Sequence, residues 1–511
     1  MKDKLTLLYT TDLHGFLVAD SYLADQKSSN GLIQAASIIK RIRRDEKEVI
    51  YFDNGDTLSG SLVSLRYGED MRFSNPMVNA LNDLSCAFSV VGNHEFDFGR
   101  KYLDKAVEQS DFPWLATNLV KNRGGSPAFG PSWHLQKVAS GKSVAFIGLT
   151  TPETAELAHE DAIKGLSFLD PVDVLGESLK EIKKLDVDLI VVSFHGGYDS
   201  AVPYWSQKTP EDLDLKSKIC QKYPEIDVLI TGHTHGLLSN REINGVHTIQ
   251  AGCYGHHVGR VDISWDGEDK SIQSENIPVK GQRLEKNLLE SSYRVLESTV
   301  EWLDEPIGES LDDFSFTSSR EALMCPSRLM SLVHMVIQDA SNCDISAAAF
   351  WKLDGWKAGT ITRRTILNLV PDNYLHVLSM TGKTLRKALE QSLSFFECDE
   401  SGEVEPGSRI YTYDIWSGIY YKADLANKPG RRIKELTYLG ESVSDDQILK
   451  VAFYHFRTNG ALGYEMLQDA KLVWQSKKTM RDYLLEFMKK NYELSVPIEF
   501  NWKLMSGETL L

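Results

Sequence analysis

The amino-acid sequence predicts an α/β protein in two parts, an N-terminal α/β domain and then a C-terminal α/β domain. Three observations carry this expectation. Short apolar runs recur at 5–10, 49–52, 88–91, 144–149, 189–194 and 228–231, each ended by polar residues and glycine, the pattern of buried strands. Helical periods such as 31–44 and 172–185 lie between them, and alternation of this kind builds sheets covered by helices. A change of composition at 282–303 then separates this region from the rest of the chain.

The first run begins almost at the N-terminus, which leaves no room for the apolar stretch and cleavage site of a leader and predicts a cytoplasmic protein. Residues 245–263 read as a pair of closing strands. The stretch QRLEKNLLESSYRVLESTVEWL (282–303) has apolar residues at helical spacing, dense charge, and neither Gly nor Pro. It reads as one long helix ending near Pro306, either bridging two domains or lying on the first. The expected organisation is a first domain at 1–280, a linker helix at 281–308 and a second domain at 309–511. Helices at 326–340 and 382–395 are expected in the second domain, among several strands.

The balance of 56 Lys and Arg against 72 Asp and Glu gives a net charge of −16. An acidic surface repels phosphate backbones and argues against a binder of nucleic-acid polymers. A phosphorylated substrate would need local positive charge, which bound metal supplies. Six cysteines form no C-x-x-C pair, which excludes a zinc ribbon or a dithiol redox motif. No apolar run reaches the ~18 residues of a membrane span.

Five of the runs end in potential metal ligands: Asp12-Leu13-His14-Gly15, Asp53-Asn54-Gly55-Asp56, Gly92-Asn93-His94-Glu95, His195-Gly196-Gly197 and Gly232-His233-Thr234-His235. Ligand sites of open α/β sheets lie at the C-terminal ends of strands, so the five clusters are expected to converge on one crevice. Asp12/His14 and His233/His235 are separated by two, which in extended backbone turns both side chains of a pair the same way. Five of the 13 histidines fall in these clusters. Carboxylates, imidazoles and one amide suit a first-row divalent ion (Mn, Zn, Fe, Co or Ni) rather than Ca or a thiolate-seeking ion. Seven candidate ligands exceed the needs of one four-coordinate ion. They suit two ions sharing a carboxylate, which can hold a hydroxide and clamp a phosphoryl group.

Rival motifs fail. Gly141-Lys142-Ser143 and Gly382-Lys383-Thr384 resemble the end of a P-loop, but Gln136 and Val377 stand where its first glycine belongs. Neither H-E-x-x-H nor G-x-S-x-G occurs, so a zinc protease and a serine hydrolase have no support.

With D-x-H, G-D, G-N-H-E, H-x-G and G-H-T-H in order, the chain resembles the calcineurin-like metallophosphoesterases, which implies an N-terminal sandwich of β-sheets flanked by helices, followed by a C-terminal α/β domain of the 5′-nucleotidase type. It is most similar to the bacterial 5′-nucleotidase group, which includes UDP-sugar hydrolases and 2′,3′-cyclic-nucleotide phosphodiesterases. AGCYGHHVGRVDI (251–263) resembles that group's segment after the last ligands. The resemblance implies one ion at Asp12, His14, Asp56 and His235, and another at Asp56, Asn93, His195 and His233. It implies that His94 stabilises the phosphate or leaving oxygen and that Asp97 orients it. The competing expectation for Asp97 is a helix cap.

The second half resembles the group's nucleotide-binding domain at 359–392, 413–424 and 457–467. There Tyr413 and Tyr464 stand where the family sandwiches the base between aromatics. The family's Asn-Gly-Gly-x-Arg is missing: Ala349-Phe350-Trp351-Lys352-Leu353-Asp354-Gly355-Trp356 stands in its place. Lys352, Arg363 or Arg364 could supply charge, and Trp351 and Trp356 suggest either a reshaped pocket or core tryptophans. The resemblance implies hydrolysis of nucleotide phosphate esters by an ion-bound hydroxide, 5′-nucleotidase-like, in nucleotide catabolism. The alternatives are a 2′,3′-cyclic-nucleotide phosphodiesterase, a nucleotide-sugar pyrophosphatase, or a non-catalytic metal and nucleotide sensor. No membrane partner is expected, and the oligomeric state is left open.

Overall fold

Alternate residues of the first strand, Leu5, Leu7 and Tyr9, are buried together with Ile50, Phe52, Phe88, Val90, Phe146, Val191 and Ile230. Side chains at every second position share one cluster because they lie on the face of the sheet that packs on the other sheet. The computed structural model describes residues 3–24, 26–68, 70–121, 125–196, 215–267, 269–367, 369–371, 373–399, 403–458 and 460–511. They form two units, the first ending at Val300 and the second running from Glu301 to Leu511.

The sandwich of the first unit is made of β1 (Asp3–Thr10), β2 (Val49–Asp53), β3 (Ser89–Val90), β4 (Trp114–Leu115), β5 (His134–Lys137), β6 (Ser143–Thr150), β7 (Leu189–His195), β8 (Val228–Thr231), β9 (Leu237–Ile243), β10 (Val246–Ala251), β11 (His257–Asp266) and β12 (Asp269–Pro278). One six-stranded sheet has the order β12-β11-β1-β2-β3-β4, the other β9-β10-β8-β7-β6-β5. Strands β1 to β4 run parallel, as do β6, β7, β8 and β10. The loops after β1, β2, β3, β7 and β8 therefore leave from like-directed strand ends. The second sheet is covered on its outer face by helix Pro171–Ile182, through Leu175, Leu179 and Ile182. Asp170 caps that helix by accepting from Val172 N at 2.7 Å, as an N-cap carboxylate does.

Residues 245–263 are not a pair of neighbouring strands. β10 lies between β9 and β8 in one sheet and β11 lies in the other. The turn between them crosses the sandwich through left-handed residues at Gly252, Tyr254 and Gly255, a backbone no straight strand pair would contain. The expected long helix starts at Lys286 and ends at Asp304. Its start is delayed because Glu285 N donates to Ile33 O at 3.0 Å while the Glu285 carboxylate accepts from Leu288 N. The division between the two units falls inside this helix. Among the described residues, no helix is long and apolar enough to cross a membrane.

The second unit is built on a five-stranded sheet. Its strands are β13 (Ile345–Ala349), β14 (Tyr374–Thr381), β15 (Asp414–Ser417), β16 (Ile448–Tyr454) and β17 (Lys471–Thr479), in the order β15-β13-β16-β14-β17. Helices Arg328–Ser341 and Gly382–Leu393 occur close to the expected 326–340 and 382–395. A fully buried ion pair sits in this core. Arg457 Nε and Nη2 donate to the two Asp414 oxygens at 2.8 and 2.9 Å, and Nη2 also donates to Tyr411 O.

Breaking such a pair from one side leaves an uncompensated buried charge. Asp414→Ala is expected to destabilise the second unit by about 3–5 kcal/mol. Urea unfolding followed by circular dichroism would show a transition moved to lower denaturant, and an unmoved curve would contradict the role given to the pair.

Candidate active site

The ends of β1, β2, β7 and β8 bring six of the seven expected donors together, and Asn93 follows β3 next to His94, whose amide donates to Asp56. Asp12, His14 and His235 form one group, and Asp56, His195 and His233 another, each with its donor atoms within 4.8 Å of one another. His94 joins His14 and Asp56 in a third group. Gly197 lies outside the described residues. Asp12 and His195 are fully buried, and His14, Asp56 and Asn93 nearly so.

Two details decide whether these residues fit cations. Asp56 Oδ2, Asn93 Oδ1 and His195 Nε2 are buried and make no hydrogen bond, although buried polar groups are almost always paired. His14 Nε2 and His235 Nε2 face each other at 3.0 Å. Lone pairs turned toward a common centre are the arrangement a cation completes, so the donor set fits metal. Asp56 Oδ2 lies 3.0 Å from His195 Nε2 and 3.9 Å from His14 Nε2, between the two donor groups. The other oxygen, Oδ1, accepts from His94 N at 2.8 Å.

The backbone that holds these donors is not extended. Asp12, His14, Asp56, His233 and His235 all have φ between 47° and 67°, in the left-handed region that costs non-glycine residues ~1–3 kcal/mol each. Each ligand pair therefore converges through tight left-handed turns, which corrects the expectation of extended D-x-H and H-T-H segments. Two glycines permit the crowding. A Cβ on Gly92 would stand 2.3 Å from Asp56 Oδ1, and one on Gly232 would stand 2.3 Å from Thr11 Oγ1.

Glu95, left without a role by the sequence motif that contains it, is the hub of the backbone. Its buried carboxylate accepts from the amides of Asp56, Thr57, Leu58 and Gly92. Burial and the nearby Asp56 charge push the Glu95 carboxyl up to about 7, against amides that favour the ionised form. Burial also opposes ionisation of Asp56, but the imidazoles of His195, His94 and His14 hold it well below the usual carboxylate range.

His94 and Asp97 are joined, Nδ1 to Oδ2 at 2.8 Å. Ser59 Oγ donates to the same Asp97 oxygen at 2.7 Å, and Ser59 O lies 3.0 Å from His14 Nδ1. No sequence signal marked Ser59, which touches both the dyad and a candidate ligand. Desolvation works against a charged His94, but the Asp97 and Asp56 carboxylates outweigh it and raise its pKa to about 10. Asp97 is therefore engaged by side chains. Its position just after the turn His94–Phe96 caps no long helix, since helix Arg100–Gln109 follows Gly99.

Residues 5–237 match the calcineurin-like phosphoesterases and residues 306–469 match the 5′-nucleotidase C-terminal domain. The chain joins a calcineurin-like phosphoesterase domain to a 5′-nucleotidase C-terminal domain. All seven donors lie in the phosphoesterase domain. The trifunctional nucleotide phosphoesterase of Bacillus subtilis is 23% identical over 99% of this chain, and the chain spans 39% of that protein's length. A 2′,3′-cyclic-nucleotide 2′-phosphodiesterase/3′-nucleotidase of Haemophilus influenzae is 25% identical, with 98% of this chain and 87% of that protein covered. A candidate 5′-nucleotidase of Staphylococcus aureus, solved with alpha-ketoglutarate, is 25% identical. That comparison covers 99% of this chain and all of the other, with a TM-score of 0.79.

Within the 5′-nucleotidase C-terminal domain, the two tyrosines expected to sandwich a base are core residues. Tyr413 and Tyr464 are both fully buried. The Tyr413 ring stacks on Phe395 at 5.2 Å and 8°, and Arg457 lies over the Tyr464 ring at 4.6 Å. Neither ring is open to a base, because this core has already covered them. Trp356 is stacked on Phe314 at 4.5 Å, whereas Trp351 is 41% exposed. Arg364 pairs with Asp304 at 2.7 Å and Arg363 with Glu305, so both guanidinium groups are committed to carboxylates.

A protein that binds cations in the folded state alone is stabilised by them, by about 2.7 kcal/mol at a hundred times Kd. Chelator-stripped protein is expected to melt at higher temperature when Mn²⁺ or Zn²⁺ is added, and Asp56→Ala to lose most of that shift. A D56A protein that keeps the full shift would remove Asp56 from the site.

Proposed function

We propose that the chain hydrolyses phosphate esters of nucleotides with two divalent cations, in the manner of a 5′-nucleotidase. The observation that carries this reading is the set of buried donor atoms on Asp56, Asn93 and His195 that make no hydrogen bond, beside the His94–Asp97 dyad. One cation would be held by Asp12, His14, Asp56 and His235, the other by Asp56, Asn93, His195 and His233, with Asp56 shared. When bound, such cations supply Lewis acidity, a nucleophile from water at neutral pH, and charge to neutralise the phosphoryl oxygens. They also offset the repulsion between an acidic protein and a phosphorylated substrate.

The protein's own part follows from its hydrogen bonds. Asp97 accepts from His94 Nδ1–H and so orients the ring, leaving Nε2 as the donor toward substrate. The Asp97 carboxylate favours the protonated ring, which can stabilise charge growing on the phosphate or on the leaving oxygen. Ser59 holds Asp97 from the other side. Glu95 keeps the backbone of Asp56 and Gly92 in register, so the dyad and the donors move as one piece.

A second reading, hydrolysis of phosphodiesters such as 2′,3′-cyclic nucleotides or nucleotide sugars, is favoured by the second unit. It lacks the arginine fork that grips a terminal phosphate bidentately, Arg363 and Arg364 are paired elsewhere, and Tyr413 and Tyr464 are covered. The native cation and a role in nucleotide catabolism belong to the same proposal.

Chelator-stripped protein, supplied singly with Mn²⁺, Zn²⁺, Co²⁺, Ni²⁺ or Mg²⁺, is expected to release phosphate from nucleotides. A panel of 5′-, 3′- and 2′,3′-cyclic nucleotides and nucleotide sugars separates the two readings. His94→Ala is expected to lower turnover by about 10²–10³-fold while both ions remain bound. Turnover equal to wild type would remove His94 from the reaction.

A further inference from the structure

Among the candidate ligands, His233 has an outer partner unlike the others. His14 Nδ1 lies 3.0 Å from Ser59 O, and His195 Nδ1 lies 2.7 Å from Asn54 O. A carbonyl only accepts, so in both rings Nδ1 carries the proton and Nε2 keeps the lone pair. His233 is reversed. Its Nε2 lies 3.1 Å from Glu153 Oε2, and an ionised carboxylate likewise accepts, which leaves Nδ1 with the lone pair. Glu153 is 38% exposed, against 13% for the His233 side chain.

Topology explains how Glu153 reaches this place. β6, β7 and β8 are adjacent and parallel, and Thr150 at the end of β6 is in register with His195 at the end of β7. The turn after β6 therefore rises beside His195, and Thr151-Pro152-Glu153 extends across it toward the turn after β8, where His233 sits. Thr154 begins a short helix immediately afterwards, which fixes the direction of the loop at Glu153. The His233 backbone is pinned independently, its amide donating to Asp12 Oδ1 at 2.9 Å. His233 is thus held by one carboxylate at its backbone amide and by another at its ring.

We propose that Glu153 is a positioning residue for the cation held by Asp56, Asn93, His195 and His233. It selects the tautomer of His233 that presents Nδ1 and holds the ring in the plane that aims Nδ1 inward. Outer partners of this kind commonly change metal affinity by about 10–100-fold. The proposal rests on the ion assignment given above. It adds an asymmetry: the outer partners of the other two pinned imidazoles are backbone carbonyls, whereas this one is a side chain on a partly exposed loop. One cation is therefore open to tuning by a single substitution that leaves the other untouched.

The test is a titration of full-length, chelator-stripped protein with Co²⁺, followed by calorimetry and by metal analysis after desalting. Wild type is expected to take up two ions. Glu153→Ala is expected to retain one with unchanged affinity and to bind the second about 10–100-fold more weakly. Glu153→Gln, whose amide oxygen still accepts from Nε2–H, is expected to fall between the two, a graded rescue that general loop damage would not produce. An E153A protein that binds both ions as wild type does, or that weakens both equally, overturns the proposal and leaves the two-cation reading intact. Wild-type protein that takes up no ion overturns both.

Discussion

Four backbone amides converge on one buried carboxylate, and the geometry of the site depends on them. Glu95 ties the turn after β2 to the turn after β3, alongside the bonds from His94 N to Asp56 and from Ser59 to Asp97. Without that acceptor, the amides of Asp56, Thr57, Leu58 and Gly92 would be buried and unpaired, at a cost of about 1–3 kcal/mol each. The chain would then relieve the cost by letting the turns part. Asp56 and Asn93 sit on the two turns that the Glu95 carboxylate joins. Its charge lies in the same buried region as Asp56, an arrangement that is unfavourable without cations nearby.

The left-handed residues follow the same logic. Five donors sit in conformations that a free peptide avoids, held there by the amide of Asp12 on Gly55 O, of His14 on Asp56 O and of His233 on Asp12 Oδ1. These bonds cross between turns from three strands, so no turn is shaped by its own sequence alone. Rigid sheets on either side of the core supply the support for this strain. Ligands aimed before a cation arrives do not have to be ordered when it binds, which lowers the entropic cost of binding.

Much of this was legible in the residues themselves. Apolar runs located β1, β2, β6, β7 and β8 to within a residue or two, and the donor clusters at their ends located the site, because strand ends and ligands are both written in short local patterns. Pairing across distance was not legible. That β10 and β11 lie in opposite sheets depends on how far the turn at Gly252, Tyr254 and Gly255 carries the chain, which no periodicity encodes. Glu95 and Ser59 act through hydrogen bonds to partners tens of residues away, so their types alone said little. Tyr413 and Tyr464 were misread for a related reason. An aromatic residue in a familiar segment has the same letter whether its ring faces a ligand or a neighbour, and here Phe395 and Arg457 occupy the faces.

The crossing from β10 to β11 separates the length of chain that holds the donors from the length that completes their support. Every donor is in place by His235, yet β1, whose end carries Asp12 and His14, is flanked by β2 on one side and by β11 on the other. β8, which leads to His233 and His235, likewise borders β10. A fragment ending at the last donor would leave two central strands as open edges, with their amides and carbonyls unpaired. The residues that write the chemistry stop some forty positions before the residues that close the sheets, at Pro278. Any shuffling of this domain between proteins must therefore carry the silent tail along with the ligands.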